Sequence, residues 1–242
     1  KEPLFDRYGS QIPTIFGEEL FLTQDKFPAQ LKTAPSNYIL GPGDQIRLNF
    51  SGTTKLSKKV EIDREGQIFV KEIGSINLSG LSYSSAQKEL NRIADASLIG
   101  TTIDITLSQL RPIQLFVVGN VKFPGSYVLN PLSSINNVLV TSGGPTRAGS
   151  LRSISLKRDN KVISNIDMYE LFINGNSSIN QNFQSGDVLL INPVGIQVEI
   201  FGEVRRPAIY EMKDKENFKD LLSFASGKTF LANTNRVTLT RA

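Results

Sequence analysis

The chain has no cysteine, no histidine and no tryptophan, and only two methionines in 242 residues. Without cysteine there is no disulfide and no thiolate metal site. Without histidine, the commonest general base and the commonest transition-metal ligand are both missing. An enzyme built from this sequence would have to work with carboxylates, Lys, Tyr and hydroxyls alone. The expectation is therefore a protein that is not an enzyme and holds no cofactor and no metal. No apolar run approaches the ~20 residues that span a bilayer as a helix. No signal-peptide pattern is present, and the first residue is Lys1. A processed or trimmed product is expected, with any signal, lipid anchor or membrane segment of the parent lying outside it. The lack of cysteine is compatible with the periplasm without fixing the compartment.

What is present describes a folded chain. Hydrophobic residues make up 39% and charged residues 21%, the balance of a globular protein. The length suits one large domain or two to three small ones. Net charge is +4, and the excess sits in the second half of the chain. No basic run or basic-aromatic stripe accompanies it, so nucleic acid is not an expected partner. A mild preference for an anionic partner is what the charge supports.

Residues 1–36 read as an irregular arm. Pro3, Pro13, Pro28 and Pro35 interrupt it, while Phe5, Tyr8, Ile15, Phe16, Leu20, Phe21 and Phe27 give it apolar points. It is either an extended segment lying on the body of the protein or an interaction arm. From Tyr38 the pattern alternates. Ile46, Leu48 and Phe50 share one face of a half-buried strand. Val60 and Ile62, then Ile68 and Val70, read as a hairpin turning at Asp63–Gly66. A helix follows, capped within Ser82–Ser85, with Ala86, Leu90, Ile93 and Ala94 on one face. A strand with Ile103, Ile105 and Leu107 on one face ends a β-β-β-α-β unit over residues 37–110.

The next unit spans residues 111–194. A strand ends at Gly119-Asn120 and another runs from about Gly125 to Leu129. A short helix is capped by Ser133 or Ser134, buries Ile135, Val138 and Leu139, and stops at Gly143-Gly144. A hairpin turns at Arg158–Lys161, a helix of one to two turns starts at Asp167, and a strand closes the unit.

Sliding the chain by 83 residues makes this unit recur without a gap. Gly119 meets Gly202, Val121 meets Val204, Pro124 meets Pro207 and Tyr127 meets Tyr210. Leu139 meets Leu222, Gly144 meets Gly227, Leu156 meets Leu239 and Arg158 meets Arg241. The second copy, 195–242, is little more than half as long as the first, which suggests that the sequence is part of a longer protein. The repeat assigns structural roles. Gly119 and Gly202 permit a bend, Pro124 and Pro207 fix φ at a turn, and Gly125 opens a strand. Tyr127 and Tyr210 are expected to cover the core with the ring and reach a backbone group with the hydroxyl.

Two nucleotide-like motifs fail. Ser226-Gly227-Lys228-Thr229 resembles the end of a P-loop, but the required upstream glycine position is Leu222, and the loop follows a helix instead of opening one. Gly41-Pro42-Gly43-Asp44 precedes a strand, so it lacks the helix N-terminus that would hold phosphate. It is better read as a tight turn that launches a domain after Tyr38, with Asp44 tying the backbone N–H groups.

At this point the residues carry a resemblance. YILGPGDQIRL, EIDREGQIFV followed by IGSINLSGLS, and the helix containing AQKEL resemble the polysaccharide-export (PES) domain. LFVVGNVKFPGSYVLNPLSSINNVLVTSGGP is similar to the start of an SLBB domain, the soluble ligand-binding β-grasp module, and VEIFGEVRRPAIYEM to a second such start. The resemblance covers residues 37–242 and points to the outer-membrane polysaccharide export (OPX) family of Gram-negative bacteria. It implies an α+β chain: a β-rich PES domain, a first β-grasp domain, and an incomplete second one. It further implies periplasmic rings associated with the outer membrane, commonly octameric, that pass capsular polysaccharide or exopolysaccharide outward with an inner-membrane copolymerase partner. In such a ring Arg205 and Arg206, in the turn of the second repeat, are candidates for facing the glycan or an inter-subunit seam. The plainer alternatives are that they are solvated or pair with Glu203 or a neighbouring subunit. Two other functions compete: a glycan-binding or adaptor module that forms no pore, and an enzyme or flavin- or cobalamin-binding protein, against which the missing His and Cys argue.

Overall fold

A computed structural model describes residues 14–21, 36–53, 55–176, 183–233 and 237–240. The N-terminal domain is built on an antiparallel sheet of order β2-β1-β5, comprising β1 (Gln45–Gly52), β2 (Leu56–Glu61) and β5 (Thr101–Gln109). Alternation puts Ile46, Leu48 and Phe50 of β1 and Ile103 and Ile105 of β5 on the buried face. Helix α1 (Tyr83–Ser97) covers that face with Ala86, Leu90 and Ala94, and the Ser82 side chain accepts its Ser85 N–H as cap. Two amides of α1 also close the outer edge of β5. The Gln87 Oε1 accepts from Ile105 N–H at 2.9 Å and the Asn91 Oδ1 from Ile103 N–H at 3.0 Å. An edge strand whose N–H groups are occupied offers no template for foreign pairing.

One expectation fails here. Residues 56–61 and 67–70 do not pair with each other. Strand β2 pairs with β1, while β3 (Gln67–Val70) pairs with β4 (Gly74–Asn77), a strand that the sequence reading missed. The Asp63–Gly66 turn exists, but it carries the chain from one sheet to another. Alternation reports which face of a strand is buried and is silent on which neighbour it pairs with.

The first repeat unit is a five-stranded sheet of order β7-β6-β10-β8-β9. Its strands are β6 (Ile113–Gly119), β7 (Gly125–Leu129), β8 (Gly149–Arg158), β9 (Lys161–Ile166) and β10 (Val188–Pro193). Strand β10 pairs parallel with β6 and antiparallel with β8, so it is the centre of the sheet. Helix α2 (Ile135–Thr141) starts at Ser134 and α3 (Met168–Phe172) at Asp167, as their capping chemistry predicts. Asp159 and Asn160 both take positive φ in the β8–β9 turn, the two-residue geometry that matches strand twist.

The second repeat unit comprises the hairpin β11 (Ile196–Ile200) and β12 (Ala208–Met212) and helix α4 (Phe218–Phe224). β12 and α4 stand 83 residues after β7 and α2 at both ends. Residues 237–240, the counterparts of central positions in β8, form no strand. One apolar core serves the N-terminal domain, and a second runs through both repeat units. Phe16 and Phe21 of the arm are buried in that second core, so residues 14–21 lie on the body. Phe5, Tyr8 and Phe27 are outside the described residues. No helix among the described residues is long and apolar enough to cross a membrane.

Candidate functional site

The opening turn of the N-terminal domain closes around one carboxylate. Asp44 is fully buried. Its Oδ2 accepts from Gly41 N–H at 2.9 Å and its Oδ1 from the Tyr38 hydroxyl at 2.8 Å. Arg111, at the joint with the first repeat unit, donates its backbone N–H to Oδ1 at 2.8 Å and its guanidinium to Oδ2 at 2.9 Å. Burial pushes the Tyr38 phenol up, and the Asp44 carboxylate adds to it. A Cβ at Gly41 would displace the Arg111 guanidinium from its place beside Asp44. Pro42 and Gly43 complete the turn, with Gly43 N–H donating to Ile62 O at 2.8 Å. The turn therefore launches the domain and also ties it to the next one. Arg111 went unnoticed in the sequence because nothing local marks a partner 67 residues away.

The paired turns of the two repeat units have the same wiring. Gly119 and Gly202 both take φ of 87°. Val121 N–H donates to Gly119 O and Val204 N–H to Gly202 O. Lys122 N–H donates to Gly144 O and Arg205 N–H to Gly227 O, each at 3.0 Å. Pro124 and Pro207 lead into β7 and β12. The Tyr127 hydroxyl donates to Phe123 O at 2.5 Å, and that of Tyr210 to Arg206 O at 2.8 Å. The ring of Tyr210 is fully buried and that of Tyr127 is packed against the same core. The expected double role of these tyrosines, ring to core and hydroxyl to backbone, is present in both.

Arg205 and Arg206 are exposed on the second turn. Arg206 stacks its guanidinium over the Phe16 ring at 5.0 Å. Neither arginine is ion-paired to Glu203 among the described residues; the Glu203 carboxylate accepts from the Thr229 hydroxyl instead. Arg205 presents its charge outward, and Arg206 is committed in part to the arm.

Between the two repeat units lies a polar joint. Arg152, 8% exposed, holds its guanidinium against the rings of Tyr169 and Phe224, at 4.6 and 5.1 Å. It donates to Asp167 at 3.1 Å, to both oxygens of Glu216 and to Glu211 O. Burial works against its charge, but the hydrogen bonds to Glu216 and Asp167 outweigh it and raise its pKa. The buried Glu211 carboxylate accepts from the Ser150 hydroxyl at 2.6 Å and from the N–H groups of Leu151 and Gly195, both at 3.1 Å. The sequence held one signal for this joint: Arg152 shares strand parity with the buried Ile154 and Leu156. A charge on the apolar face of a strand needs partners from another element. No group of three or more acidic or metal-ligating side chains that could hold an ion occurs among the described residues.

An N-terminal domain launched by an Asp-centred turn is thus followed by two copies of one β-rich unit, the order that the resemblance to a PES domain with tandem SLBB modules implies. Comparison with known proteins agrees. The family model described as polysaccharide biosynthesis/export protein matches residues 32–108, and the SLBB domain model matches 114–169 and 197–242. The chain belongs to the outer-membrane polysaccharide export family, with a PES domain followed by SLBB domains. Two curated relatives, both described as polysialic acid transport protein KpsD of Escherichia coli, are each 28% identical over 203 residues, 83% of this chain. The chain spans 36% of the length of those relatives.

Proposed function

We propose that this chain is the periplasmic part of an outer-membrane polysaccharide exporter. It assembles as an oligomeric ring and forms a conduit for capsular polysaccharide or exopolysaccharide, without chemistry of its own. An inner-membrane copolymerase delivers the polymer. The observation that carries the reading is the succession of an export domain and two SLBB modules in a chain whose curated relatives are polysialic acid transport proteins. A polymer that must slide needs a polar, weakly gripping wall, and a chain without tryptophan and with a small positive balance suits that use.

Within this reading Arg205 and Arg206 lie near the path of the polymer or at a seam between subunits, and one copy per subunit sets a band of positive charge. The test is complementation of an export-deficient strain with the full-length protein. The double charge reversal of Arg205→Glu and Arg206→Glu should cut surface polysaccharide several-fold while ring formation, followed by sizing and electron microscopy, persists. Normal export by rings of the variant would end the role of the arginines. A monomeric full-length protein that binds glycan and restores no export would overturn the conduit in favour of a binding or adaptor module.

A further inference from the structure

The arm touches both repeat units, and the way it does so assigns it a task. Thr14–Phe16 runs beside β12 in one parallel β-bridge: Ile209 N–H donates to Thr14 O at 2.9 Å and Phe16 N–H to Ile209 O at 3.0 Å. Phe16 then enters a cluster of rings drawn from both units. It meets Tyr169 of the first unit edge-on at 5.0 Å and stacks on Tyr210 of the second at 5.0 Å, under the Arg206 guanidinium. Gly17, at φ 84°, turns the chain against Leu151, and the 3-10 turn Glu18–Phe21 lies on the first unit. There Phe21 rests on Gly144 and near Phe172, and Glu18 faces Arg147.

Gly144 and its counterpart Gly227 report how specific this docking is. Both take nearly the same positive φ, 76° and 84°. A Cβ on Gly144 would collide with the Phe21 ring, whereas one on Gly227 would meet nothing within 4 Å among the described residues. At equivalent glycines of the repeat, Phe21 therefore seats on Gly144. The covalent link between the units is short, running from Pro193 to Gly195.

We propose that Thr14–Phe21 is a strap that holds the two repeat units in one orientation, so that an element from the front of the chain sets the geometry of its far end. The strap spans the joint that Arg152 and Glu211 fill from inside: it bridges to the edge strand of one unit, seats an aromatic ring on the other, and closes the aromatic cluster between them. The proposal does not depend on the conduit.

A chain without cysteine allows clean pairwise labelling. Spin labels at Lys161→Cys and Lys219→Cys report the distance between the first and second units, and labels at Arg64→Cys and Lys161→Cys report the N-terminal domain against the first unit. Pulsed electron resonance should give narrow distance distributions for both pairs in the whole chain. In the Phe16→Ala, Phe21→Ala double variant, and in a chain starting at residue 22, the 161–219 distribution should broaden at least two-fold while the 64–161 distribution stays narrow. Phe16→Leu should restore much of the narrow form. An unchanged 161–219 distribution in the chain starting at residue 22 would overturn the strap, because that chain has none. Equal broadening of both pairs would overturn it as well, since it would show general loosening and not a joint set free.

Discussion

The first and second repeat units share a motif and differ in what surrounds it. Their turns, helix caps and tyrosine hydrogen bonds correspond one for one, yet Leu156 is fully buried while its counterpart Leu239 is 75% exposed. The same holds for Ile113 and Ile196, Ile135 and Phe218, and Ile154 and Val237. In the first unit β10 lies between β6 and β8, and these positions belong to the core of the unit. No such strand stands beside β11 among the described residues. Equal residues at equal spacing give equal turns in both units, while the exposed positions of the second are those whose counterparts in the first are packed by parts of the unit that follow residue 159. Among the described residues, Tyr210, Met212 and Leu221 of the second unit are buried in one core with the first.

The sharpest way to break this dependence is Arg152→Leu. It leaves Asp167, Glu216 and the Glu211 carbonyl without their shared partner, and removing one member of a buried ion pair costs about 3–5 kcal/mol. The loss should appear in chemical melting as early unfolding of β11, β12 and α4, followed by amide exchange. The pH response sharpens the same test. Burial pushes the Glu216 carboxyl up, but the Arg152 hydrogen bond, the Lys213 N–H and both cations prevail and hold it below its ordinary 4.5. A lowered carboxylate contributes stability that is fully present above the unfolded pKa and is lost as pH falls through the folded one. The contribution should therefore be intact above about pH 4.5 and fade below it, and Arg152→Leu should flatten that acid limb.

Next in size is the glycine pair. At both Gly119 and Gly202 a side chain meets the strain of positive φ, about 1–2 kcal/mol. Only at Gly119 would it also strike the Ile191 carbonyl and the Leu190 side chain. Gly119→Ala should therefore cost about 3 kcal/mol or more, and Gly202→Ala no more than the backbone strain. Equal shifts in melting temperature would show that the two turns are less differently housed than their surroundings indicate.

The smallest expected effect has the opposite sign. The first unit ends α2 with Gly143 at φ 78°, where the second has Ser226 at φ 60°. Ser226→Gly should relieve the left-handed residue and stabilise the second unit by about 0.5–1 kcal/mol. It should slow amide exchange in α4 and leave α2 untouched.

Much of this molecule was legible in its residues because the determining interactions are short-range. Caps at Ser82, Ser134 and Asp167, the positive-φ pair Asp159-Asn160 and the Asp44 turn act within a few positions, and the sequence determined them by itself. So did the 83-residue repeat, since equal residues at equal spacing make equal turns. Tertiary structure alone decided the rest. Alternation could not say that β2 pairs with β1 and β3 with β4, because period-two patterning fixes a face and not a neighbour. Nothing local joins Asp44 to Arg111, Arg152 to Glu216, or Phe16 to Tyr210. Those contacts link residues far apart in the chain, and their energy exists only once folding has removed the water between them.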